Sequence, residues 1–427
     1  MTPRKLSIAL VAFALACKEQ PAQQAAAPSS TPEKQATSPT PPGGAVKIGA
    51  TLPLTGAEAR IGSFYKEGYE FALDELTKKG GLKVGGKQVP VALTILDDTS
   101  TQATAVSLAD RLINSDKVDF LLGTYSSHLV EAQSAVAEQN AIPYVQGGGG
   151  ATDIFKRGYK WLFGLLAPVE LLADAEMQWI DEQQKAGKLP KQVKIALLWE
   201  NTAHGKDFRK GVNDFAQKNK SGYQVVVDES FELNGKDFSA LLGKVKAAGA
   251  DLFLADAHLP DYITMQRQYI TSGLCHRVQS YGARGSEKQA AEALGADKVA
   301  YIISSVWWSN QLGAKNELAK KFVEAFTAKT GHKPEWYQAL GYETARALFT
   351  AIEQAGSTDR EAVRAKLTAM KIPSILPGGE LSFPAEFGQQ SHAPFVVQQN
   401  QPDGTSPIIF PASAASGAGV APNPHCK

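Results

Sequence analysis

From residue 46 onward the chain alternates short apolar runs with amphipathic helical stretches, and it passes through that alternation twice. VKIGATLPL (46–54) reads as a strand, 63–79 as a helix with Tyr65, Tyr69, Ala72 and Leu76 on one face, and VPVALTILDD (89–98) as a strand. A helix at 103–114 with Val106, Ala109 and Ile113, a strand VDFLLG, a helix at 129–140 and a strand IPYV follow. Beyond WLFGLLAP (161–168) the alternation restarts with VKIALLW, YQVVVDESF and DLFLAD, separated by helices carrying Phe208, Val212 and Phe215, then Phe238, Leu241 and Val245. A helix at 260–272, strands VQSYG and VAYIISSV, and helices at 316–330 and 335–354 complete the pattern. Short, continuously apolar strands alternating with helices are buried parallel strands, so the expected class is α/β with two doubly wound units.

Composition narrows the function. With 43% hydrophobic residues in 427, two cores are affordable and a disordered chain is excluded. Lys+Arg 44 against Asp+Glu 43 leaves a net charge of +1, without the field of a nucleic-acid binder or polybasic membrane protein. A charged ligand must therefore be met locally. The three cysteines, Cys17, Cys275 and Cys426, lack zinc-site spacing, and no metal or cofactor is expected.

The N-terminus reads as an address and a tether. MTPRKLSIALVAFALA places Arg4 and Lys5 before an apolar stretch about half the length of a spanning helix, which is the pattern of a signal peptide over 1–16. Ala14-Leu15-Ala16-Cys17 resembles the bacterial lipobox, except that Leu15 stands two residues before the cysteine rather than three. The resemblance implies acylation of Cys17, and Lys18 after it resembles sorting to an outer membrane; an ordinary signal peptide with an incidental Cys17 is the alternative. Residues 17–45 then form a linker rich in Pro, Ala, Ser and Thr that has nothing to bury. The globular body is expected on the periplasmic or outer side of a membrane, attached through lipid only.

Ligands of open α/β sheets sit outside the carboxyl ends of the strands. Those ends read LTGAEARIG, DDTST, GTYSSH and QGGGGATD in the first half, and WENTAHG, DAHLPD, SYGARGS and SSVWWSN in the second. They hold little that resembles a catalytic set. An envelope enzyme would use Asp97 and Asp98, or His128, His204 and Asp261, as acid and base, yet no G-x-S-x-G elbow or H-E-x-x-H accompanies them. The glycine run lacks the G-x-G-x-x-G register of a dinucleotide site.

VKIGATLPLTG, LADRLINSDKVDFLLGTYSS, IPYVQGGGGATDIFKRGYKWLFG, HGKDFRKG, DFSALLGKVKAAGADLF and GYETARALFTAIEQAG, in this order, resemble the leucine/isoleucine/valine-type periplasmic solute-binding proteins of ABC transporters. The resemblance implies a type I periplasmic-binding fold, with two flavodoxin-like lobes joined by three hinge strands and closing like a flytrap. By the same resemblance, lobe 1 is 46–164 plus 302–371 and lobe 2 is 165–301 plus 372–427. A monomeric, non-enzymatic protein is implied, capturing a small amino acid or carboxylate for an ABC permease. A receptor that senses its ligand through the same fold is the alternative.

The resemblance also assigns residues. A zwitterion needs both charges met. Ser126 and Ser127, at the opening of a helix, match the family's carboxylate-binding serine, and Gly149, Gly150, Ala151 and Thr152 match its glycine-rich loop. The two serines would equally serve as N-caps, which is compatible with a site. Asp261 aligns with the ammonium-binding carboxylate, with a capping aspartate beside Pro260 as the alternative. His204 stands where the family often has an aromatic residue. Tyr281, Arg284 and Trp307, with Trp308, end the next strands; Arg284 would meet a second anionic group, and a strand-end tryptophan is also ordinary core. Arg60 and Phe64 are candidates for the side-chain pocket. Cys275 and Cys426 are available to pair in an oxidising compartment and would then tie down the tail, which otherwise frays.

Overall fold

The computed structural model describes residues 44–426. The signal segment, Cys17 and nearly all of the linker lie outside the described residues. The first half runs β1 (Val46–Leu52), α1 (Ala59–Lys78), a hairpin of β2 (Leu82–Val84) and β3 (Lys87–Val89), β4 (Val91–Asp97), α2 (Gln102–Asn114), β5 (Phe120–Leu122), α3 (Ser127–Gln139), β6 (Tyr144–Gln146) and β7 (Leu162–Gly164). Its five strands form one parallel sheet in the order β4-β1-β5-β6-β7. Tyr65, Tyr69, Ala72 and Leu76 of α1 are buried as the helical spacing demanded.

The second half runs α4 (Val169–Lys185), β8 (Val193–Glu200), α5 (Ala203–Lys218), β9 (Tyr223–Phe231), α6 (Ser239–Ala248), β10 (Leu252–Asp256), α7 (Leu259–Thr271), β11 (Val278–Ser280), α8 (Lys288–Leu294), α9 (Ala296–Val299) and β12 (Ile302–Val306). The chain continues through α10 (Glu317–Thr330), α11 (Trp336–Ala355), α12 (Arg360–Thr368), the pair β13 (Lys371–Pro373) and β14 (Glu380–Ser382), then β15 (Val396–Gln399) and β16 (Ile408–Phe410). The second sheet is ordered β16-β15-β12-β11-β10-β8-β9. Its five parallel strands repeat the first sheet's winding, and β15 and β16 extend its edge antiparallel.

In both lobes the first strand lies beside the second on one side and the third on the other, so each has its topological switch point between first and third strands. That places the crevices at the ends of β1 and β5 in lobe 1 and of β8 and β10 in lobe 2.

The lobe boundaries expected at 302 and 372 move. β12 pairs with β11 and β15, so 302–306 belongs to lobe 2 and the return to lobe 1 comes after Val306. Residues 372–391 stay with lobe 1: Phe383 packs on Phe163 at 5.5 Å, Gln389 accepts from the Gly164 N–H, and Ser391 donates back to Gly164. α11 returns to lobe 1 against α1, where Tyr342 donates to Glu75 and Gln338 to Glu67.

The helix α4 has no counterpart in the sequence expectation, although Val169, Leu172, Ala173, Met177 and Ile180 lie on one buried face. Its signal merged with the apolar crossing segment WLFGLLAP, which runs into it directly. The tail is docked rather than frayed: Asn423 donates to Arg277, and Cys275 and Cys426 are joined with Cα atoms 5.3 Å apart. No helix of the described residues is long and apolar enough to cross a membrane.

Candidate ligand-binding site

The strand ends of the two sheets enclose a cavity of about 230 Å³. Lobe 1 supplies its wall from the loops after β5 and β6. Ser126 precedes α3 but makes no side-chain cap bond; its hydroxyl lies 3.0 Å from His128 Nδ1. Leu129 and Val130 both donate back to Ser126 O, which leaves the first amides of α3, at Ser127 and His128, without helical acceptors. Ser127 Oγ accepts from the N–H groups of Gly150 (3.3 Å) and Ala151 (3.4 Å), tying the glycine run to the helix start.

The glycine run is held from behind. Gln146 Oε1 accepts from Gly148 (2.9 Å) and Gly149 (2.7 Å), and a Cβ on Gly148 would run into the Thr124 carbonyl. Glycine is required there because two backbone segments pass in contact. Gly150 reaches the cavity, where a Cβ would come within 3.4 Å of Trp307 and 3.3 Å of Leu166.

Lobe 2 supplies charge. His204, in the first turn of α5, places Nδ1 2.7 Å from Asp256 Oδ2, and His258, which precedes α7, places Nδ1 2.6 Å from Glu200 Oε2. Arg284 lies between them, with Nη1 3.3 Å from His204 Nε2 and Nη2 3.4 Å from His258 Nε2. Its Nη2 also donates to the Tyr125 hydroxyl of lobe 1 at 2.9 Å. Gly282, at φ +55°, lets the chain turn ahead of Arg284; a Cβ there would stand 2.6 Å from Asp256 Oδ1.

Burial opposes charge on His258, but Glu200 outweighs it and, with help from Glu58, raises its pKa to about 9. Glu200 is held well below the carboxylate range despite full burial, chiefly by His258, with His204 and Arg284 adding to the effect. Glu58, at the start of α1, faces His258 Nε2 at 3.7 Å across the cleft. Glu200, His204 and Asp256 each offer an atom within 4.8 Å of the others, a spacing compatible with a metal ion. The guanidinium of Arg284, 3.9 Å from Asp256 Oδ1, already supplies the cation to this cluster.

Of the expected site residues, the cavity brings together Ser126, Ser127, Gly150, His204, Arg284 and Trp307. Trp307 also donates to Ala167 O at 2.9 Å in the hinge, whereas Trp308 is core. The others are placed elsewhere. Gly149 spends its N–H on Gln146 and packs on Val130, and Ala151 lies behind Ser127. Thr152 ties the lobes, its N–H on Asp207 of α5 at 2.8 Å and its hydroxyl on Glu170 of α4. Asp261 turns away and accepts from the Asn234 N–H at 3.0 Å, so it is not the acceptor facing the cavity. Tyr281 stacks on Tyr262 at 4.1 Å in the lobe 2 core. Arg60 bridges Glu287 and Glu335 over Phe64, and neither lines the cavity. Asp97 and Asp98 brace the loops after β1 and β5 through Thr55, Thr51 and Thr124, not a catalytic pair.

Tyr125, Glu200, His258 and Trp336 line the cavity without having been expected there. His258 was findable: it precedes the helix after the third strand of lobe 2, the place Ser126 holds in lobe 1.

A family model described as periplasmic binding protein matches residues 45–405. The chain is a periplasmic binding protein. Among its relatives, Leu/Ile/Val-binding protein homolog 7 of Brucella suis biovar 1 (strain 1330) is 27% identical over 376 residues, covering 87% of this chain and 92% of that one. Two solved substrate-binding proteins share the fold. LivJ of Streptococcus pneumoniae, in complex with isoleucine, has a TM-score of 0.74 at 21% identity, covering 85% of this chain and 97% of that one. A solute-binding protein of R. palustris in complex with benzoate has a TM-score of 0.72 at 22% identity, with 88% and 99% covered. This periplasmic binding protein therefore has the type I architecture, and its place is extracytoplasmic.

Proposed function

We propose that this protein captures a small amino acid or carboxylate between its lobes and delivers it to an ABC importer. The observation that carries this reading is the cavity at the facing switch points, with the first amides of α3 on one side and Arg284 on the other. A carboxylate at a helix start gains charge-assisted hydrogen bonds of roughly 1.5–3 kcal/mol each, and three or four approach the ~8 kcal/mol of a micromolar ligand. The acids and histidines of lobe 2 are paired with one another, which favours capture over catalysis. The relatives' names and the two bound ligands support an amino acid or carboxylate as the class. Acylation of Cys17 would tether the protein to a membrane through lipid; fatty-acid labelling that survives in Cys17→Ser would contradict that attachment.

The test is a thermal-shift panel of amino acids, carboxylic acids, amides and sugars on the purified protein. A ligand at 100 times its dissociation constant adds about 2.7 kcal/mol. A shift with an amino acid or carboxylate is expected; shifts confined to sugars, or no shift at all, would contradict the reading.

A further inference from the structure

Resting on that reading, we propose that the group lobe 2 reads is anionic rather than an ammonium, and that the ligand is a dicarboxylate with an apolar body. One carboxylate would meet the start of α3, and the other Arg284.

Asp256 and Glu200 each spend an oxygen on a histidine, and Asp256 Oδ1, which has no hydrogen bond of its own, stands 3.9 Å from Arg284 Nη1. Asp256 Oδ2 faces His204 Nδ1 at 2.7 Å. Glu200 Oε2 accepts from both His258 Nδ1 (2.6 Å) and the His258 N–H (3.2 Å), and its Oε1 accepts from Thr202 Oγ1 at 2.8 Å. Asp261 points to the Asn234 turn instead. Lobe 2 lines the cavity with Arg284, His204 and His258, together with Glu200, Asn201 and Thr202. Arg284 is 2% exposed, and its Nε has no hydrogen-bond partner.

An ammonium in this position would face a cation. With Nδ1–H of each histidine directed at its carboxylate, the free edge of His258 presents a second N–H whenever the ring is protonated, the form Glu200 favours. The 3.4 Å approach of Arg284 Nη2 to His258 Nε2 is then donor against donor, with Glu58 3.7 Å from His258 Nε2 and Asp256 Oδ1 3.9 Å from Arg284 Nη1 as nearby counter-charges. An anionic group relieves that opposition. The lobe 1 end is also anion-favouring, since Ser127 and His128, the first residues of α3, line the cavity at the positive end of the helix dipole. The lining also includes Leu166, Leu233, Trp307 and Trp336, suited to a hydrocarbon or aromatic body, beside Glu131 of α3.

Calorimetry on the purified protein with glutarate, adipate and phthalate, beside their monomethyl esters and leucine, tests this. At least one diacid is expected to bind tenfold or more tighter than its monoester and than leucine. Arg284→Gln is expected to weaken the diacid 10- to 100-fold and the monoester less than threefold, while Arg284→Lys, which keeps the charge, retains a preference for the diacid. The wild-type diacid-to-ester ratio decides the matter even where a variant fails to fold. Leucine or a monoester binding as tightly as every diacid would overturn the inference and leave solute capture standing. Silence across these probes and across the thermal-shift panel would overturn both.

Discussion

The two walls of the cleft solve the same problem with different materials. Lobe 1 uses backbone: a helix start, a glycine run braced by Gln146, and one hydroxyl that accepts from two amides. Lobe 2 uses ionised side chains, with Arg284 set between two carboxylate-bound histidines. A wall of backbone is sensitive to volume and indifferent to pH. A wall of buried charge is tolerant of volume and sensitive to any change in its partners' ionisation.

That contrast is broken most forcefully at Glu200. Removing one partner of a buried ion pair typically costs about 3–5 kcal/mol, so Glu200→Ala should lower stability by that order in denaturant melts. Without Glu200, burial should win and carry the His258 pKa from about 9 to below 6.5, which ring-proton NMR would follow. An unmoved His258 titration would mean that the lobe 2 wall is not held by this pair.

Glu176 of α4 gives lobe 2 a second pH signature. It accepts from Ser280 Oγ at 2.8 Å and the Ser305 N–H at 3.0 Å, and full burial raises its pKa from 4.5 to about 8. A raised acid stabilises the fold fully below about pH 4.5, and that contribution is lost as pH rises through about 8. Glu176→Gln should flatten this part of the stability profile and be the more stable protein at pH 8–9. Equal slopes for both proteins would contradict the assignment.

On the lobe 1 side the effects should be smaller and independent of pH. Gly148→Ala forces a methyl against the Thr124 carbonyl and should cost about 1–3 kcal/mol. Ser127→Ala, which strips the acceptor from Gly150 and Ala151, should cost about 0.5–1.5 kcal/mol, with a matching loss of ligand affinity. Either loss varying between pH 5 and 8 would erase the distinction between the walls.

The layout of both sheets was legible because apolar strands and helical stripes have different periods, and Tyr65, Tyr69, Ala72 and Leu76 fell on one buried face as read. Switch points then pointed to GTYSSH, whose Tyr125, Ser126, Ser127 and His128 line the cavity. Which residue of DAHLPD faces the ligand was not legible. Asp256 ends the strand, His258 precedes the helix, and Asp261 sits in its first turn; only the angle at which α7 leaves β10 decides among them. The hinge crossings were misplaced for a related reason. An apolar strand such as Ile302–Val306 pairs equally well in either sheet by pattern alone, and one of its two neighbours, β15, comes from much later in the chain.

On the proposed function, one ligand is held from both lobes at once. Hydrogen exchange with and without the ligand found by the panel tests it directly. Protection is expected together at 125–129 and 147–151 of lobe 1 and at 200–204, 256–258 and 282–285 of lobe 2, with 261–272 unchanged. Protection confined to one lobe would contradict it.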